Sequence, residues 1–128
     1  MEGGVEMTKR VMIVDDEPDV LLSLKIVLEK QNYDVVTVEN GAECLREIEK
    51  GFKGIILMDL MMPIMDGWTT IKEIVKRGYI DDITIAIITG KGTKDHENMS
   101  SVGPYIFDYL PKPIDIKILI SSIERASR

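Results

Sequence analysis

The stretch Gly-Ile-Ile-Leu-Met-Asp-Leu-Met-Met-Pro-Ile-Met-Asp-Gly, residues 54–67, decides how the rest of the chain is read. Four apolar residues, Ile55, Ile56, Leu57 and Met58, carry the chain to a single acid, Asp59. A short apolar run bounded by Gly and by turn residues reads as a strand buried on both faces, as in a parallel sheet covered by helices. A carboxylate where such a strand ends costs free energy unless it has partners or chemistry there. The rest of the sequence should therefore supply those partners.

N-terminal to this stretch, residues 10–14 form a first run rich in β-branched residues, stopped by Asp15, Asp16 and Glu17. Pro18 suits the first turn of a helix, where its missing N–H costs nothing. Val20, Leu21, Leu24, Val27 and Leu28 repeat at three and four and mark one helical face. Asn32 fits the exit, residues 33–38 a second strand, and Asn40 the cap of a second helix. Ala42, Leu45 and Ile48 form the stripe of that helix and Gly51 closes it; Cys44, off the stripe, reads as a small, half-buried filler. Residues 54–58 are the third strand.

C-terminal to it, Asp66-Gly67 opens a third helix carrying Trp68, Ile71, Ile74 and Val75 and ending near Gly78. Residues 83–88 are a fourth apolar strand, finished by Thr89-Gly90. Residues 91–104 hold the weakest helical pattern, with Met99 and Val102 as its only buried stripe. A fifth strand at 105–110 leads through Pro111-Lys112-Pro113 into a helix faced by Ile116, Leu119, Ile120 and Ile123. Five strands alternating with helices imply one α/β domain: a doubly wound (βα)5 parallel sheet in the flavodoxin-like order 2-1-3-4-5. The domain is expected to span residues 9–128, with 1–8 a flexible lead-in.

Composition agrees and narrows function. The chain has 128 residues, 45% hydrophobic and 30% charged, enough for one globular core. Its 22 acids against 16 bases give a net charge of −6, which argues against direct nucleic-acid binding. One Cys excludes an internal disulfide, and no apolar run reaches the roughly 18 residues of a membrane span. No signal peptide stands at the N-terminus, so the expected location is cytoplasmic, without membrane insertion.

In doubly wound sheets, function gathers at the carboxyl ends of the strands. Strand one ends in Asp15 and Asp16, strand three in Asp59, strand four in Thr89, and strand five runs into Lys112. Each alone has a plain structural explanation: helix cap, β-former or solvated loop residue. All five at successive strand ends form a far more specific pattern. Three crowded carboxylates repel one another and call for a cation. An oxygen-only donor set without Cys or His suits a hard ion such as Mg²⁺. Lys112 adds a positive charge that can pair with Asp59 or with a phosphate on it.

From Lys9 to Ile123 the chain resembles the receiver domains of two-component response regulators. The resemblance rests on Val-Asp-Asp-Glu-Pro (14–18), Met-Asp-Leu-Met-Met-Pro-Ile-Met-Asp-Gly (58–67), Thr-Gly (89–90) and Asp-Tyr-Leu-Pro-Lys-Pro (108–113). It implies that Asp59 is phosphorylated and that Asp16 binds Mg²⁺ directly and Asp15 mostly through water. The backbone carbonyl of Met61 would complete the protein ligands. It further implies that Thr89 holds the phosphoryl group, that Tyr109 is a coupled aromatic switch, and that Lys112, before a cis Pro113, bridges to a phosphoryl oxygen. The implied partners are a sensor histidine kinase or histidine phosphotransfer protein, and a target docking on helix four, strand five and helix five. Such a domain is a switch rather than an enzyme.

Three features are individual. Met61 and Lys91 stand two residues after Asp59 and Thr89, where neither can orient an attacking water, so self-dephosphorylation is expected to be slow. Ser-Val-Gly-Pro-Tyr-Ile-Phe (101–107) replaces the family's small-residue turn and suggests a short or mobile fourth helix. The sequence ends at Arg128 after helix five, so output is expected through contact with another protein. The competing reading is a small Mg²⁺-dependent phosphohydrolase with an aspartyl-phosphate intermediate, but Met61 stands where its second Asp belongs. His96 is read as solvated, and Trp68, Ile114 and Ile118 as packing residues.

Overall fold

The computed structural model describes residues 9–90 and 96–127; the side chains of Thr89 and His96 and the whole of Lys91 lie outside the described residues. Five parallel strands, β1 (Arg10–Val14), β2 (Asp34–Val38), β3 (Gly54–Asp59), β4 (Ile83–Thr89) and β5 (Ile106–Pro111), stand in the order β2-β1-β3-β4-β5. The helices between and after them are α1 (Pro18–Lys30), α2 (Gly41–Glu49), α3 (Gly67–Lys76), α4 (His96–Val102) and α5 (Ile116–Ala126). The expected fold is the observed one.

The uninterrupted apolar strands are explained by two cores. Successive side chains of a strand point to opposite faces. Val11, Ile13, Ile55, Leu57 and Ile88 meet Leu21, Leu24 and Leu28 of α1 and Leu119 and Ile123 of α5. Met12, Val14, Ile56, Met58, Ile85 and Ile87 meet Leu45, Ile48, Ile71, Ile74 and Val102 from α2, α3 and α4. Cys44 belongs to this second core and is fully buried, not half-buried as its place off the α2 stripe suggests. The reason is α3, which packs on the flank of α2 and extends its buried face. Burial pushes the Cys44 thiol up to about 12, so it is an inert apolar filler.

Local signals mostly work as read. Asn40 Oδ1 accepts from Glu43 N at 2.9 Å while Glu43 reaches back to the Glu39 N–H at 3.3 Å, a reciprocal cap. Asp66 Oδ1 accepts from Thr69 N at 2.8 Å and opens α3. Asn32 leaves α1 at φ 68°, a left-handed conformation that Asn tolerates. β3 runs one residue further than expected and includes Asp59 itself. Trp68 is packed in the core, as expected.

The fourth helix is short, and Met99 and Val102 do pack against the core. A 3₁₀ turn, Gly103–Tyr105, then delays β5 by one residue. Opposite the step Ile85–Ala86, β5 advances from Ile106 to Asp108, leaving Phe107 as the extra residue of a bulge. Ile118 is 52% exposed rather than packed, because α5 turns Leu119, Ser122 and Ile123 toward the sheet. Ile114 packs partly against the α1–α5 core.

Candidate functional site

The register between β1 and β3 builds the site. Val14 pairs with Met58, so the residues that follow each, Asp15 and Asp59, emerge side by side where the strands end. Asp15 and Asp59 are buried and Asp16 is exposed. One carboxylate oxygen from each of the three lies within 4.8 Å of the others. On the other side of β3, Asp59 pairs with Ile88, which places Thr89 one step beyond it, and Thr89 pairs with Pro111, just before Lys112. Thr89 thus ends β4 as expected, and the position of its side chain lies outside the described residues.

Asp59 is held by its loop. Its Oδ1 accepts from the Met61 N–H at 3.1 Å. Gly67 closes the loop by donating its N–H to the Leu60 carbonyl at 3.1 Å. A Cβ on Gly67 would stand 2.4 Å from the Asp59 carbonyl oxygen, so only glycine lets α3 start so near the acid. The Met61 side chain is 67% exposed and Ile64 is fully exposed at φ 70°, an uncommon backbone for a β-branched residue.

Burial pushes the Asp59 carboxyl up to about 6 and is the largest influence on it. Its hydrogen bond from Met61 and the Lys112 charge work the other way, while Asp15 and Asp16 raise it further. At neutral pH Asp59 is therefore mostly ionised, an anion with an unusual affinity for protons or cations.

Lys112 reaches the acids from the turn between β5 and α5, after which the Lys112–Pro113 bond is cis, as the resemblance implied. Its Nζ lies 3.1 Å from Asp15 Oδ2, 3.1 Å from Glu17 Oε1 and 3.8 Å from Asp59 Oδ2. Burial works to lower its pKa, but contacts with Asp15, Glu17 and Asp59 prevail and raise it, keeping it a cation. Glu17 is the one site residue that motif reading passed over. The signal was available: it follows two acids at a strand end, at a helix start where Glu is a poor cap.

The acids fit a hard cation. Asp15 Oδ2 is fully buried, and among the described residues its one close polar partner is the Lys112 ammonium, an ion pair at 3.1 Å that Glu17 shares. A buried carboxylate oxygen with so few partners, close to oxygens of Asp16 and Asp59, suits a bound cation. Tyr109 lies on β5 opposite Ile87, 38% exposed, its N–H donating to its neighbour Asp108 Oδ1 at 2.9 Å. No helix among the described residues is long and apolar enough to cross a membrane.

The family model described as response regulator receiver domain matches residues 11–124. The chain belongs to the response regulator receiver domains. Protein PilH of Pseudomonas aeruginosa is 32% identical over 116 residues, covering 89% of this chain and 93% of that protein. A transcriptional regulatory protein of Haemophilus influenzae, a CpxR homolog, is 31% identical over 93% of this chain but only 50% of its own length. The chain thus spans about half the length of this regulator and of the transcriptional regulatory protein PrrA of Mycobacterium bovis, which it also matches. A crystal structure of a CheY-like receiver domain protein from Methanospirillum hungatei is 36% identical, with a TM-score of 0.84 over 90% of each chain. This receiver is accordingly a signalling domain of a two-component system, a class that works with histidine kinases.

Proposed function

We propose that this receiver takes a phosphoryl group from a phosphohistidine onto Asp59 and uses it to switch a protein-binding surface. The observation that carries this reading is a buried carboxylate, ionised at neutral pH, beside two further acids and a lysine at the end of β3. In the transfer an Asp59 carboxylate oxygen attacks phosphorus, an O–P bond forms, and the N–P bond breaks with its electron pair left on the imidazole nitrogen. Lys112 meets the charge that arrives. Asp15, Asp16, Asp59 and the Met61 main-chain carbonyl would hold Mg²⁺, which when bound neutralises the crowded carboxylates and the phosphoryl oxygens.

The phosphoryl group brings about −1.5 to −2 charge and three strong acceptors. Thr89 is assigned to receive one of them through its hydroxyl, and Tyr109 to turn inward as Thr89 moves. The outward readers are α4, β5 and α5; β5 and α5 show Phe107, Tyr109, Ile116 and Ile118 to solvent, and the 3₁₀ turn between α4 and β5 adds Tyr105. The donor is a sensor histidine kinase or a histidine phosphotransfer protein, the location cytoplasmic, and the domain a switch that assists its own phosphorylation rather than an enzyme. A phosphohydrolase is disfavoured because Met61 cannot act as its general acid.

Incubation with acetyl phosphate and Mg²⁺ followed by intact-mass measurement tests the central claim. One phosphoryl mass is expected on the native chain and none on Asp59→Asn; an equal gain on both would refute it. The slow loss assigned to Met61 and Lys91 predicts that a Met61→Asn, Lys91→Glu double variant loses the group faster.

A further inference from the structure

The ammonium that should serve the phosphoryl group is engaged elsewhere in the structure. Lys112 Nζ donates to Glu17 Oε1 at 3.1 Å and is 3.8 Å from Asp59 Oδ2. Glu17 is not needed for the helix it precedes. It occupies the N-cap position of α1 but makes no side-chain cap hydrogen bond. Its backbone does the structural work: its N–H donates to Asp15 Oδ1 at 2.9 Å and its carbonyl accepts from Val20 and Leu21. The side chain is therefore fixed at its root, and among the described residues its one hydrogen bond to another side chain is with Lys112.

The two ends of this contact differ in solvation. The Glu17 side chain is 62% exposed and that of Asp59 only 3%, so water screens the first pairing far more than the second. Glu17 keeps the ammonium off Asp59 only jointly with the buried Asp15, each 3.1 Å from it, and its screened share of that hold yields to a doubly charged phosphoryl group on Asp59.

We propose that Glu17 is a positioning residue that shares the Lys112 ammonium with Asp15 and draws it away from Asp59 until phosphorylation claims it. The proposal rests on the phosphoacceptor reading of Asp59. Glu17 thus acts through Lys112 as a brake on phosphorylation, and removing its reach frees the lysine to neutralise the incoming group.

Two variants separate contact from charge. Glu17→Gln removes the charge, whereas Glu17→Asp keeps it but shortens the side chain by one methylene. With acetyl phosphate at saturating Mg²⁺, both are expected to phosphorylate about two- to fivefold faster than the native chain, the range that an exposed ion pair commands. In the metal-free protein, the Lys112 ¹³Cε resonance should move in both variants, a change that follows the ammonium's partner and not overall folding. Acceleration by Gln with native behaviour in Asp would show that charge near the site matters and the contact does not, and would overturn the proposal. So would unchanged rates in both variants with an unmoved Lys112 resonance. Absence of phosphoryl gain on every chain, native included, would sink the Asp59 reading instead, and the Lys112 resonance would then judge the contact alone.

Discussion

Asp59 shows at the scale of one residue what a buried carboxylate costs. Its folded pKa, about 6, lies above the ordinary carboxylate value of 3.8, chiefly because it is buried. The folded chain therefore binds more protons than the unfolded one between these values, and stability falls as pH rises through that window. Above pH 6 the ionised, metal-free carboxylate destabilises the fold. Asp59→Asn is expected to stabilise the metal-free protein at pH 8 by on the order of 2 kcal/mol and to bring little gain at pH 4. Urea titrations in EDTA at the two pH values check this, and an equal effect at both would contradict it. Ile64 offers a second case in the same loop. It is fully exposed at φ 70°, so its side chain gains no burial while its backbone bears strain worth about 1 kcal/mol or more. Ile64→Asn, which tolerates that backbone, should raise stability by about 0.5–1 kcal/mol in thermal melts.

Elements were legible where one residue type answers one geometric need. β3, β4, α1 and α3 follow from unbroken apolar runs, three-and-four spacing, Pro18 and the Asp66 cap, because local chemistry and tertiary burial agree there. The sequence was less legible where polar side chains replace apolar ones. Ser122 is buried on α5 since it donates to Asp108 Oδ2 at 2.6 Å, and that partner lies fourteen residues away on β5. The Phe107 bulge likewise depends on how β5 meets β4, which no local pattern encodes. Glu17 was missed for the same reason: its partner Lys112 is 95 residues distant. Asp108 also pairs with Arg125 at 3.1 Å, so one carboxylate ties β5 to α5. Burial tends to raise the Asp108 pKa, but hydrogen bonds from Ser122 and the Tyr109 N–H and the Arg125 charge outweigh it and hold the pKa below its ordinary value. A depressed carboxylate contributes stability above its unfolded pKa and loses it as pH falls through the folded one. Asp108→Ala should therefore cost on the order of 1–2 kcal/mol at pH 7 and less below pH 3, read by denaturant melts at each pH.

Across the whole molecule, the sheet gathers its unfavourable charge at one end. β1 and β3 bring Asp15, Asp16 and Asp59 together, and Lys112 offsets only part of the repulsion. The unfolded chain keeps Asp59 far from the adjacent Asp15 and Asp16, so a divalent cation should bind the folded state much more tightly. Binding of that kind stabilises by mass action, about 2.7 kcal/mol when free Mg²⁺ reaches a hundred times its dissociation constant. For a domain of this size that corresponds to a rise of roughly 10 °C in Tm. The gain should shrink as pH falls below about 6, because protonation of Asp59 competes with the ion. It should shrink further in Asp59→Asn, which removes one ionised ligand yet keeps the shape. Melts of both chains with Mg²⁺ or EDTA, at pH 8 and pH 5, give the four differences needed. A Mg²⁺-induced rise that is the same in both chains at both pH values would mean that the ion binds somewhere other than the acids that end β1 and β3.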